Sequence, residues 1–146
     1  MAVTREAAME ALFSKLSAAY AFGATTRRVD TPEALASPGS APGLGLIVHS
    51  ESYERQSLNL PPKRKMRALA IIYIDVGGEA NAIPDAVLNP VKDAIDAALL
   101  PDNKVTGLCT LGGVVYSAIV KGEVVQAPGD KTGKGLAVIP VEIILP

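Results

Sequence analysis

KMRALAIIYIDV, residues Lys65 to Val76, decides the fold. Met66, Ala68, Ala70, Ile72, Ile74 and Val76 recur at period two, the repeat of a β-strand whose side chains alternate between faces. That face is expected in the core. The opposite face runs Lys65, Arg67, Leu69, Ile71, Tyr73, Asp75, polar at its ends and apolar in the middle, whereas a sheet face turned to water is usually polar throughout. Cover over that apolar middle is therefore expected.

Upstream, ESYERQSLNLPPKRK (Glu51 to Lys65) has no hydrophobic period and contains Pro61-Pro62, so it reads as a protruding loop or a frayed hairpin. Before it, Leu44 to Ser50 reads as a strand. DTPEALASPGSAPG (Asp30 to Gly43) has Pro, Gly and Ser at loop density, and Thr25 to Val29 reads as a short strand. At the start, Thr4 is placed to cap a helix with Glu6 in its first turn. Met9, Leu12, Phe13, Leu16, Ala19 and Tyr20 follow at spacings of three and four, and the helix is expected to end near Gly23.

Downstream, Gly77 and Gly78 break the strand. VLNPVKDAIDAALL (Val87 to Leu100) reads as a helix with Asn89 as N-cap, Pro90 in its first turn, and Val91, Ile95, Ala98 and Leu99 inward; Pro84 offers an earlier start. Val114 to Gln126 and Leu136 to Leu145 are expected to form a hairpin around APGDKTGKG (Ala127 to Gly135). In the last strand Ala137, Ile139, Val141, Ile143 and Leu145 share one face, and Pro140, lacking an N–H, favours an edge or bulge position. The expected fold is α+β. It is a single domain over residues 1–146, with a largely antiparallel or mixed sheet against two main helices and exposed loops near 30–43, 51–65 and 127–135.

Composition narrows the function. A chain of 146 residues, 49% hydrophobic and 20% charged, can build one core without metal or disulfide staples. With 14 basic and 15 acidic residues, its formal charge of −1 gives no global attraction to nucleic acid or anionic lipid, so any DNA contact must be local. One cysteine excludes an intrachain disulfide and is compatible with a reducing compartment such as a cytoplasm. Glu6, Glu10 and Lys15 interrupt the alanine-rich start, which therefore reads as a helix of the mature protein and not a secretion signal. The apolar runs at Ala68 to Ile74 and Leu136 to Leu145 fall short of the roughly 20 residues that cross a bilayer as a helix.

Candidate chemistry is sparse. GDKTGKG (Gly129 to Gly135) lacks the spacing, the Ser or Thr after Lys134 and the following helix that a phosphate loop needs, so it reads as a hairpin turn. Cys109 and His49 have no local orienting acid and are expected to be non-catalytic. No cluster has metal-ligand spacing, and Asp93 and Asp96 read as solubilising positions on the outer helix face. No catalytic, cofactor-binding or metal residue is assigned. The strongest charge cluster is Lys63, Arg64 and Lys65, with Arg67 two residues on. It reads either as a solvated strand end that discourages edge pairing or as a contact for DNA or an acidic partner; no aromatics interleave it, against single-stranded nucleic acid. With Leu69, Ile71 and Tyr73 it makes the candidate interaction surface.

The order of N-terminal amphipathic helix, TTRRV (Thr25 to Val29), LNP-opened helix (Leu88 to Pro90), TLGG turn (Thr110 to Gly113) and IPVEI strand (Ile139 to Ile143) resembles the tail terminator, or minor tail protein U-like, group of long-tailed bacteriophages. The likeness covers most of the chain, with Asp30 to Lys63 departing from the pattern. It implies a subunit of a homo-oligomeric ring, hexameric in that group, at the head-proximal end of the virion tail, assembled in the host cytoplasm. Such a ring stops tube polymerisation and offers the head-joining surface. Its implied partners are the tail tube protein, a head-completion or connector protein, and genomic DNA passing through the ring without sequence-specific binding; no cofactor and no membrane are implied. The rival readings are another head-to-tail joining or tail-completion protein, and a small-molecule-binding α+β regulatory domain.

Overall fold

In the computed structural model, residues 3–28, 41–77, 83–127 and 134–146 are described. Helix α1 (Arg5–Ala19) opens where Thr4 Oγ1 accepts the Ala7 amide at 3.0 Å, satisfying one of the first-turn donors that a helix leaves unpaired. It buries Ala8, Met9, Leu12 and Leu16, and each leucine contributes roughly 1.5–3 kcal/mol by leaving water. The helix stops at Ala19 because Tyr20 is extended, a few residues before Gly23.

Among the described residues six strands make one mixed sheet: β1 (Ala24–Thr26), β2 (Gly43–Glu54), β3 (Lys63–Asp75), β4 (Ser117–Val120), β5 (Val125–Ala127) and β6 (Lys134–Ile144). Their order across the sheet is β1-β2-β3-β6-β4, with β5 also on β6. Of these pairs β1 against β2 is parallel and the others are antiparallel. This is the α+β fold expected, with the central strand at the expected place. Met66, Ala68, Ala70, Ile72 and Ile74 of β3 and Ala137, Ile139, Val141 and Ile143 of β6 point into one core with Leu12 and Leu16 of α1 and with Leu88, Val91 and Ile95.

Three expectations need correction. The second helix, α2 (Pro84–Ala98), starts at Pro84, so Asn89 is no N-cap and Pro90 lies inside the helix. Pro90 lacks the N–H that would bond the Ala86 carbonyl, and the helix tolerates this because Leu88, Val91 and Ile95 on either side are fully buried. The strand expected from Val114 to Gln126 is two short strands, β4 and β5, with Gly122 at φ 113° between them. Pro140 explains the break. Its carbonyl accepts from the Lys121 amide at 3.1 Å, on the same side where its missing N–H would have to donate, so β6 carries an interrupted ladder there. Pro140 is therefore at a ladder break within an inner strand, not on an edge.

The segment from Glu51 to Lys65 is a hairpin. β2 runs on to Glu54 and β3 begins at Lys63, with one register shift between Val48 and Ser50 where His49 bulges. The loop expected at 30–43 lies outside the described residues apart from 41–43, of which Gly43 opens β2, and 128–133 of the loop at 127–135 lies outside them too.

Candidate interaction surfaces

Because neighbouring strand residues point to opposite faces, the basic run divides. Arg64 shares the helix side of the sheet with Met66 and donates from Nη2 to the Val3 carbonyl at 3.3 Å. Lys63, Lys65 and Arg67 are on the outer face. There Lys65 Nζ is 2.7 Å from Glu54 Oε2; this hydrogen bond and Glu54's charge raise the lysine pKa, and Lys65 in turn lowers that of Glu54. Lys63 Nζ lies 5.5 Å from the centre of the Tyr116 ring, in cation–π range. The Arg67 guanidinium rests against Gly122. Ser50, Ser52, Lys65, Met66, Arg67 and Glu142 line a shallow polar cleft of about 190 Å³, and Glu142 also pairs with Lys121 at 3.5 Å.

The apolar middle of the outer face is covered within the chain. Tyr73 is 3% exposed and Ile71 9%, packed with Ala24, Ile47, Leu69, Leu136 and Val138. The Tyr73 ring lies over Gly45, at 3.4 Å from where a Cβ would stand. Of the seven residues singled out from the sequence, Lys63, Lys65 and Arg67 share a surface, Leu69 borders it half-buried, and Ile71, Tyr73 and Arg64 are taken up by contacts inside the chain.

His49 is exposed on β2, whereas Cys109 is buried beyond β4, where its carbonyl accepts the Ala118 amide at 2.9 Å. Strands β3 and β6 stand between them, so at about 4.8 Å per strand they do not meet. Among the described residues no group of three or more His, Cys, Asp or Glu is placed to hold a metal ion, and no helix is long and apolar enough to cross a membrane.

Two features escaped the sequence reading. Asp102 organises the TLGG turn: its carboxylate accepts Thr110 N at 2.7 Å, Thr110 Oγ1 at 2.8 Å and Gly112 N at 3.0 Å, which lowers its pKa to about 2. These bonds hold Leu111, Gly112 and Gly113 at positive φ. An aspartate eight residues before a Thr-x-Gly-Gly is too loose a spacing to notice unaided. The other is the tip of the β2–β3 hairpin, where Leu58 and Leu60 are 85% and 57% exposed. Two leucines flanked by Asn59 and Pro61-Pro62, in an otherwise polar loop, were a signal available in the sequence.

The hairpin is braced beside and within its tip. Arg5 Nε bonds both Glu51 carboxylate oxygens at 2.8 and 3.0 Å, and Arg5 Nη2 donates to the Tyr53 hydroxyl at 2.6 Å, tying the start of α1 to the far end of β2. Gln56 Nε2 donates to the Pro61 carbonyl at 3.1 Å, and the Leu60 amide to the Ser57 carbonyl at 3.3 Å. At the opposite end of the helices, Ala18 and Ala19 of α1 face Ala94, Ala97 and Ala98 of α2 across an open groove of about 510 Å³, with Lys15 beside it.

No family model matches the chain, and no curated protein matches it. Among solved structures it is similar to a chain from the virion of a native gene transfer agent (GTA) particle, with a TM-score of 0.55 and 10% identity, over 94% of this chain and 92% of that one. At that identity the likeness is one of fold, and it spans nearly the whole of both chains.

Proposed function

We propose that this chain is a structural protein of a phage-type virion and, within that class, a tail terminator: a subunit of a homo-oligomeric ring at the head-proximal end of the tail. The observation that carries the reading is the near full-length likeness of fold to a virion chain. The order of helix, LNP, TLGG and IPVEI motifs in the sequence supports the narrower role. The ring caps the tail tube, ends its polymerisation, offers a surface to a head-completion or connector protein, and lets DNA pass without reading its sequence. Such work is geometric; no residue is assigned a reaction and no cofactor is required.

Light scattering after size exclusion, together with negative-stain imaging of the purified protein, tests the claim of a ring. A ring with an axial hole is expected, and a compact monomer or dimer at all concentrations overturns it. Removing the protein from the particles that contain it tests the finer one. Overlong tails are the expected result, whereas normal-length tails that fail to join heads assign the chain to another layer of the head-to-tail junction.

A further inference from the structure

We propose that the edge of β2 from Ser50 to Glu54 pairs antiparallel with the same edge of a second copy, joining the two sheets across a two-fold axis at Ser52. The inference goes beyond the ring reading and does not rest on it. Strand β2 pairs with β3 from Gly43 to Glu54, but among the described residues β1 meets its other side only from Gly43 to Gly45. Beyond that point no other described strand lies beside the outward N–H and C=O groups of β2, and every residue from Val48 to Glu54 is exposed. Such an edge is a template for another strand. The bulge at His49 interrupts it, so the regular part begins at Ser50.

The residues of this edge fit a second copy of themselves. Centred on Ser52, antiparallel pairing sets Ser52 against Ser52, Glu51 against Tyr53 and Ser50 against Glu54, so no like charges stand directly opposite. A register centred on Glu51 would oppose two carboxylates. The carboxylates nearest the axis are each held by a cation of their own chain, Glu51 by Arg5 on the helix side and Glu54 by Lys65 on the outer face.

The same register uses the apolar side chains that the single chain leaves in water. Beyond Glu54 each tip, with Leu58 and Leu60, passes along the other copy's β2 toward Val48, while Tyr53 lies at the new seam; all four are exposed in the single chain. The bodies of the two copies do not collide. Helix α1 starts beside Glu51 and Tyr53 and runs back toward Gly23, whose amide bonds the Pro42 carbonyl at 3.0 Å just before β2 begins. In an antiparallel pair the two α1 helices therefore run away from the axis in opposite directions. A contact that uses the same patch on both copies is isologous and closes with two.

Cross-linking tests the axis, since native Cys109 is buried. Ser52→Cys, oxidised mildly, is expected to give a covalent dimer, whereas Ser14→Cys, exposed on α1, should give none. Hydrogen exchange tests the backbone pairing: raising the concentration of the unsubstituted protein should slow exchange of the outward amides between Ser50 and Glu54. Ser52→Glu, which faces Lys65 within its own chain, should leave melting unchanged and weaken the dimer roughly fivefold. Self-association with neither the cross-link nor the slowed exchange overturns the contact and leaves the ring reading standing. Slowed exchange found only in assembled particles gives the edge to a different chain and overturns self-pairing. A monomer at every concentration overturns both the contact and the ring.

Discussion

The guanidinium of Arg67 lies where a side chain on residue 122 would have to go: a Cβ built on Gly122 would meet Arg67 Nη2 at 2.8 Å and the Pro140 ring at 3.4 Å. Arg67 can swing aside at little cost, but the φ of 113° at Gly122 cannot relax without moving the link between β4 and β5. Backbone strain therefore outweighs the collision. Gly122→Ala should cost about 1–3 kcal/mol in denaturant unfolding, and adding Arg67→Ala should recover little of it. Full recovery in the double variant would assign the cost to the collision instead.

Asn89 distinguishes two accounts of α2. As an N-cap its loss would cost about 1 kcal/mol; inside a helix that starts at Pro84, alanine is the better helix former. Asn89→Ala should leave stability unchanged or raise it by a few tenths of a kcal/mol. A loss near 1 kcal/mol in thermal or denaturant unfolding would restore the later helix start.

Asp102 makes the stability of the TLGG turn depend on pH. Its pKa is lowered from 3.8 to about 2 by the amides of Gly112 and Thr110 and the Thr110 hydroxyl. A carboxylate with a depressed native pKa is a site where the unfolded chain binds more protons. Its contribution is present above about pH 4 and is lost as pH falls through about 2. The melting temperature of the Asp102→Asn variant should lie furthest below wild type above pH 4, with the gap closing toward pH 2. A gap that stays constant over that range would show that the carboxylate's charge is not what holds the turn.

Ile139 is buried at the middle of β6, paired with Ala70 of β3. Ile139→Ala should cost about 2–4 kcal/mol, from the apolar burial lost and the cavity left behind, and Ile139→Asp should give unfolded or insoluble protein, because a charge there finds no partner. Soluble Ile139→Asp with unchanged melting would contradict the strand register.

Period two made β3 and the core side of β6 legible, because both alternate over their whole length and a shift of one residue would expose every core side chain. Thr4 was equally readable as a cap, since its bond to Ala7 is local. What could not be read was set by partners far along the chain. The neighbours packed against Ile71 and Tyr73, namely Ala24, Ile47, Leu136 and Val138, are brought there only by the strand order. The break between β4 and β5 follows from Pro140, which lies opposite them only after β6 has paired. Helix α2 misled because Pro84 and Pro90 both suit a first turn and burial of Leu88 favoured the earlier one. For the surface, the clustering of Lys63, Arg64 and Lys65 in sequence overstated their clustering in space, as alternation along β3 sends Arg64 to Val3.

The position of β6 has a kinetic consequence. It bridges β3 to β4 and β5, and its pairings with β3 join Lys65 to Ile144 and Asp75 to Lys134. Closing loops of that length is entropically costly before any contact compensates, so a chain with this topology is expected to fold slowly for its size. The β2–β3 hairpin, closed by a short turn, can form early and alone. Until β6 arrives, Met66, Ala68, Ala70, Ile72 and Ile74 lack their sheet partner on that side. A hairpin formed ahead of β6 would carry an open edge beside these apolar residues. Conditions that slow β6 docking should divert the chain toward aggregation before they measurably lower its equilibrium stability.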